Sequence, residues 1–273
     1  MIRYQTPGLT IFESCLFKTT SSVVATEDFV LVADPTWLPA EIAEIKACVE
    51  SIRSGRPVHL LFTHSDYDHI LGCGAFPGAT TIASAAFVSN PGADAQIAQI
   101  LDFDHEYYID RPYAIEYPQI QIPVHADGQN LEFRNAALKF FLAPGHNPDG
   151  LLTLVEPGGV LIVGDYLSDV EFPFIYHSFA AYRRTLSKAF DLIQSYQVQA
   201  LISGHGSPCF TQADMLHRVG ESFSYLQQLE NQVLHNQPFD ESALWQRYPY
   251  PRSQRKFHLA NLKILSEELK RQS

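Results

Sequence analysis

Cysteine is scarce in this chain, and any surplus of basic charge is missing. The 273 residues hold four cysteines, Cys15, Cys48, Cys73 and Cys209, without CxxC spacing, which excludes a disulfide-built scaffold and a cysteine-rich zinc cluster. Long apolar runs are also lacking. Residues 138–143 and 160–163 fall well short of the ~18 that a membrane helix needs. No leader-like stretch of basic, apolar and small residues opens the chain, so a reduced, cytoplasmic protein is expected. Neither a GxxxxGK phosphate loop nor a GxSxG nucleophile elbow occurs, which leaves no sequence basis for either chemistry.

What is present is an ordinary globular composition, 46% hydrophobic and 18% charged, enough to bury a sizeable core. The net charge of −11 repels phosphate backbones, so nucleic acid is not an expected partner, nor is a membrane. The charge is unevenly spread. Residues 236–273 carry seven Lys/Arg and four Asp/Glu, whereas the rest carries 12 basic against 26 acidic residues. That tail could dock on the acidic body or present a solvated helix surface. It is read as a helical extension, 236–273, packed on a main domain of residues 1–235. Its helix near 256–270 could serve as a dimer contact or as a cover over the site.

Strands are expected at 8–13, 22–25, 29–33, 58–63 and 79–83, and a helix over 40–53, where Ile42, Ile45, Val49 and Ile52 recur at helical spacing. Residues 103–118, dense in Tyr, Asp, Glu and Pro, read as an irregular insertion. Strands follow near 131–142, 151–155, 160–163 and 199–203. Helices are expected near 179–195, with Tyr182, Leu186, Phe190 and Ile193 on one face, and after Thr211, an N-cap candidate. Strands first and covering helices later, twice over, suggest an α/β protein with two sheets packed face to face and helices outside.

The strongest local pattern is His64-Ser65-Asp66-Tyr67-Asp68-His69, which follows an apolar strand directly. His146, Asp165 and His205 share that setting, each after an apolar strand and a glycine. A residue without Cβ lets the chain turn tightly and aim the next side chain at a shared centre. Imidazoles mixed with carboxylates suit Zn²⁺, Fe or Mn.

With Asp34 ending an early strand, these residues resemble, over roughly 8–235, the five motifs of the metallo-beta-lactamase-fold superfamily of metallo-hydrolases. The resemblance implies an αββα sandwich with metals between the sheet edges. It also implies that His64 and His146 bind one metal, that Asp68, His69 and His205 bind a second, and that Asp165 bridges them. Two Zn²⁺ per chain and a metal-bound hydroxide would then attack a small ester, lactone, thioester, β-lactam or phosphodiester, with Asp68 moving a proton to the leaving group. The departure is Asp66, where the family usually has His. As a ligand it would favour a harder or redox-active metal; as a neighbour it would only hydrogen-bond.

Two other readings stay open. One is a non-haem iron oxidoreductase, because flavodiiron proteins carry a carboxylate at the Asp66 position and persulfide dioxygenases use two histidines and one carboxylate. The other is a metal-poor binding protein. Asp34 is expected to orient a ligand histidine rather than touch a metal. Tyr166 and His177 are candidates for a substrate pocket, with packing and surface exposure as their alternatives. Cys209 and Cys73 are read as small packing residues. Tyr107, Tyr108, Tyr113 and Tyr117 form either a pocket wall or loop packing.

Overall fold

A computed structural model describes residues 1–272; Ser273, the last residue of the expected extension, lies outside the described residues. Two sheets form the centre. One contains β1 (Ile2–Thr6), β2 (Leu9–Glu13), β3 (Thr20–Ala25), β4 (Val30–Ala33), β5 (Val58–Leu61), β6 (Thr80–Ser84) and β7 (Ile122–Val124), lying side by side in sequence order. Pairing is antiparallel from β1 to β4 and parallel from β4 to β7. The other contains β8 (Gln129–Glu132), β9 (Ala137–Leu142), β10 (Leu151–Glu156), β11 (Val160–Ile162) and β12 (Ala200–Ile202), in spatial order β12-β11-β10-β9-β8. Only its β11–β12 pair is parallel among the described residues.

The covering helices are α1 (Pro39–Ile52), the short α2 (Tyr67–Ile70) and α3 (Ala85–Val88), α4 (Ala93–Glu106), α5 (Phe179–Ser195), α6 (Gln212–His235), α7 (Glu241–Arg247) and α8 (Pro251–Gln272). Strand periodicity explains the layering. On β4, Leu31 and Ala33 face the inter-sheet core with Leu138, Phe140, Leu151 and Val155, while Val30 and Val32 pack outward with Ile42, Ile45 and Val49 of α1. On β10, Leu151 and Val155 point inward, while Leu152 and Leu154 pack under α5 and α6 with Tyr182, Leu186 and Leu226. Sheets apolar on both faces require covering on both faces, which yields the α/β/β/α order.

Several boundaries differ from the sequence expectation. Strands β1 and β7 and helix α7 were not expected. The first is mostly exposed and the second has only three residues, so neither carries a burial period. Helix α4 runs on to Glu106, into the segment expected to be irregular. Phe190 of α5 is 40% exposed, off the buried face formed by Tyr182, Leu186 and Ile193. Thr211 caps α6 as expected, its hydroxyl accepting from the Asp214 amide at 3.1 Å. Helix α8 packs against α5 and α6, burying Leu265.

Candidate metal centre

Five chain segments leave the two sheets on one edge, after β4, β5, β9, β11 and β12, and each carries a polar side chain toward the same point. After β4, Asp34 adopts a left-handed backbone (φ 46°), a conformation that Asp tolerates better than most residues. Its carboxylate is occupied by the chain itself. Oδ1 accepts from the Thr63 amide (2.9 Å), and Oδ2 accepts from Thr63 Oγ1 (2.6 Å) and His69 Nδ1 (3.0 Å).

After β5, Asp66 opens helix α2 at the capping position, yet its side chain makes no capping hydrogen bond. The carboxylate is spent elsewhere: Oδ1 accepts from Asn147 Nδ2 at 2.6 Å, and Oδ2 lies 3.2 Å from His146 Nε2 and 3.5 Å from His64 Nε2. The single turn of α2 then brings Asp68 and His69 back over the sheet edge, both buried.

The four motif histidines share one arrangement. Each Nδ1 is engaged by the protein: His64 by Thr63 Oγ1 (3.0 Å), His69 by Asp34, His146 by the Phe174 carbonyl (2.8 Å) and His205 by the Phe17 carbonyl (3.0 Å). Each Nε2 is thereby directed to the common centre. Asp165 sits among them, with Oδ1 3.2 Å from His69 Nε2 and Oδ2 3.4 Å from both His146 and His205 and 3.7 Å from His64. Two glycines permit this convergence. A Cβ on Gly204 would lie 2.1 Å from Asp165 Oδ1, and one on Gly145 (φ 143°) would lie 2.3 Å from the Tyr182 backbone.

The donors fall into groups whose ligand atoms lie within 4.8 Å of one another: His64, Asp66, His146 and Asp165; Asp68, His69 and His205; and Asp165, Glu171 and His205. Buried His64 Nε2, His69 Nε2 and Asp165 Oδ1 have no hydrogen-bond partner. Orphaned buried donors and acceptors that converge in this way are costly unless a ligand completes them, and imidazole with carboxylate suits a divalent metal.

Electrostatics point the same way. Burial disfavours charge on His146 and His205, but Asp66 and Asp165 at the former, and Glu171 and Asp165 at the latter, lift their pKa values to about 9 and about 10. His69 is likewise raised against burial by Asp165 and Asp68. Burial alone would raise Asp66 and Asp165, yet the surrounding imidazoles hold both well below the carboxylate range. The same carboxylates that raise His69, His146 and His205 would favour a cation in place of their protons.

The sequence profile of the metallo-beta-lactamase superfamily matches residues 16–205. The chain belongs to the metallo-beta-lactamase superfamily. No curated protein sequence matches it significantly. Among solved structures, a metallo-beta-lactamase family protein from Thermus thermophilus aligns with 22% identity and a TM-score of 0.60, covering 84% of this chain and 82% of its own. A HARLDQ-motif metallo-beta-lactamase from Cronobacter sakazakii aligns with 18% identity and a TM-score of 0.58, covering 81% and 91%. The stereoselective inverting sec-alkylsulfatase Pisa1 from Pseudomonas sp. aligns at 12% identity and a TM-score of 0.65, with 86% of this chain covered but only 42% of the sulfatase. These likenesses establish the metallo-beta-lactamase αββα fold.

Within this superfamily fold, a cavity of about 150 Å³ opens on the cluster, lined by Asp66, Asp68, Asp165, Glu171 and His205 and walled by Phe17, Phe174, Tyr176 and, from α8, Gln254, Lys256 and Phe257. A larger cavity of about 700 Å³, bordered by Gly8, Val24, Val155 and Phe210, contains none of the candidate ligands. The two pocket expectations need correction. Tyr166 is buried, and its hydroxyl accepts from the His146 amide and donates to the Ala143 carbonyl, both at 3.0 Å, so it supports His146 from below. His177 is exposed, and its neighbour Tyr176 lines the cavity instead. Among the described residues no helix is long and apolar enough to cross a membrane. Glu171 was missed by sequence reasoning, since it stands in the irregular stretch between Asp165 and α5, with no strand end or glycine to mark it.

Proposed function

We propose that the chain is a metal-dependent hydrolase with a dinuclear site, acting on a small ester, lactone, thioester, β-lactam or phosphodiester. The convergence of four histidine Nε2 atoms on Asp165, with their Nδ1 atoms all engaged, carries this reading. His64, Asp66 and His146 would hold one metal, Asp68, His69 and His205 the other, and Asp165 would lie between them. Divalent ions held there, Zn²⁺ in this proposal, would supply water activation near neutral pH and Lewis-acid polarisation of the scissile carbonyl or phosphoryl group.

The protein's own contribution is positioning and proton handling. Asp34 and the Phe174 and Phe17 carbonyls lock the ring orientation of His69, His146 and His205. Asp68, at the cavity wall with Oδ2 3.5 Å from His205 Nε2, would take a proton from the attacking water and pass it to the leaving group. Phe17, Phe174 and Phe257 give the cavity an apolar wall, and the small cavity with a net charge of −11 favours a small-molecule substrate over a polyanion. The test is a panel of such substrates offered to protein reconstituted with Zn²⁺. Hydrolysis that chelator and His146→Ala both abolish supports the reading, and turnover indifferent to either contradicts it.

The anionic Asp66 beside His64 and His146 favours a second reading, a site for Fe or Mn and an oxidoreductase activity. Oxygen consumption by iron-loaded protein, without hydrolysis, would select it.

A further inference from the structure

We infer that Glu171 is an additional ligand of the second metal position, placed there by the C-terminal helices; the inference rests on the dinuclear reading above. A carboxylate oxygen of Glu171 lies within 4.8 Å of donor atoms of both Asp165 and His205, so one cation can touch all three. Among the described residues no hydrogen bond or close ion pair engages that carboxylate, whereas both oxygens of Asp34 accept from Thr63 and His69. The residue borders both the cavity over the cluster and an adjoining one of about 230 Å³. The second observation is Asp165 of the same group, whose buried Oδ1 makes no hydrogen bond and meets only the His69 Nε2 atom, at 3.2 Å.

The backbone around Glu171 is held with unusual care for an irregular segment. Ser168 Oγ accepts from the amides of Val170 and Glu171, both at 3.1 Å. From α8, Gln254 Nε2 donates to the Val170 carbonyl (2.8 Å) and Asn261 Nδ2 to the Pro173 carbonyl (2.6 Å). Arg247 of α7 donates to the Asp169 carbonyl at 3.2 Å, and Arg218 of α6 to the Leu167 carbonyl at 3.0 Å. The same segment supplies the Phe174 carbonyl that orients His146. Glu171 is therefore presented from a fixed backbone, as a metal ligand must be. With it, the second position gains a hard oxygen donor and a further negative charge, which biases that position toward metals such as Mn²⁺ relative to the Asp68, His69 and His205 set alone.

The test is titration of metal-free protein with Zn²⁺, and separately Mn²⁺, against a chromophoric chelator. Wild type is expected to take up two equivalents. Glu171→Gln, nearly isosteric, is expected to keep the first with unchanged affinity and to bind the second at least about 10-fold more weakly, with a larger loss for Mn²⁺ than for Zn²⁺. Glu171→Asp, which keeps the charge but withdraws it by one methylene, should fall between the two. Two equivalents bound by Glu171→Gln with wild-type affinity would overturn the assignment of Glu171 while leaving the dinuclear reading intact. Failure of wild type itself to bind metal would overturn both.

Discussion

Asp66 Oδ2 lies 3.2 Å from His146 Nε2, and Asp66 Oδ1 is fixed at 2.6 Å by the Asn147 amide of the segment that carries that histidine. The carboxylate thus faces the first metal position from a fixed pose. Asp66→Asn preserves size but removes the charge, and should weaken the first equivalent by about 10-fold or more in a chelator competition. Asp66→His substitutes a softer neutral donor and should raise the preference for Zn²⁺ over Mn²⁺ in the same assay. Unchanged selectivity would remove Asp66 from the ligand set.

Asp34 joins the Thr63 turn to His69 Nδ1 through one carboxylate. In Asp34→Asn one side-chain position becomes a donor facing the donors of Thr63 or His69, and the charge that fixes the His69 tautomer is lost. Affinity for the second metal should fall about 10- to 100-fold while the first is kept, read by the same titration. Equal loss at both positions would indicate a general collapse of the edge instead.

The motif residues were legible because each stands where an apolar strand stops: 64–69 after β5, Asp165 after β11 and His205 after β12. A burial period followed by an abrupt polar side chain is a local signal. The pairing of Asp34 with His69 across 35 positions is not local: Asp34 was expected to orient a ligand histidine, with no indication of which one. Glu171 and Tyr176 had no such signal, because the segment that carries them is ordered by partners from α6, α7 and α8 rather than by its own periodicity. The helix near 256–270 was expected as a dimer contact or a cover over the site, and residues 253–257 of α8 wall the cavity. Their role depends on how α8 packs across α5 and α6, which no spacing within α8 reveals.

Gly145 and Gly204 should fail differently when a methyl group is added. Gly145→Ala meets the Tyr182 backbone at 2.3 Å and also carries an unfavourable φ, so it should cost on the order of 3 kcal/mol and roughly 6–10 °C of melting temperature. Gly204→Ala meets the Asp165 carboxylate and the His69 ring, and should mainly abolish metal uptake. Thermal melts paired with metal analysis separate the two; loss of metal uptake by neither variant would contradict the packing argument.

Acid should destabilise the fold through two buried histidines that are not among the candidate ligands. His59 lies between Phe29 and Phe133 with neither ring nitrogen partnered, and His258 takes a 3.1 Å contact from the Tyr225 hydroxyl. Burial lowers both pKa values from the ordinary 6.5. A group depressed in the folded state takes up its proton first in the unfolded chain, so its contribution is intact above pH 6.5 and is lost progressively as pH falls below that value. Melting temperature should therefore drop from about pH 7 to about pH 5.5, and His59→Leu should flatten that drop. An identical slope in the variant would place the acid sensitivity elsewhere.

The central claim, that this edge of the sandwich is a dinuclear metal centre, is tested most directly by counting metal. Elemental analysis of protein purified without chelator, and again after reconstitution and desalting, should return about two divalent ions per chain, falling to one or none in His146→Ala and Asp165→Ala while the fold survives. Wild-type protein that stays metal-free after reconstitution would contradict it.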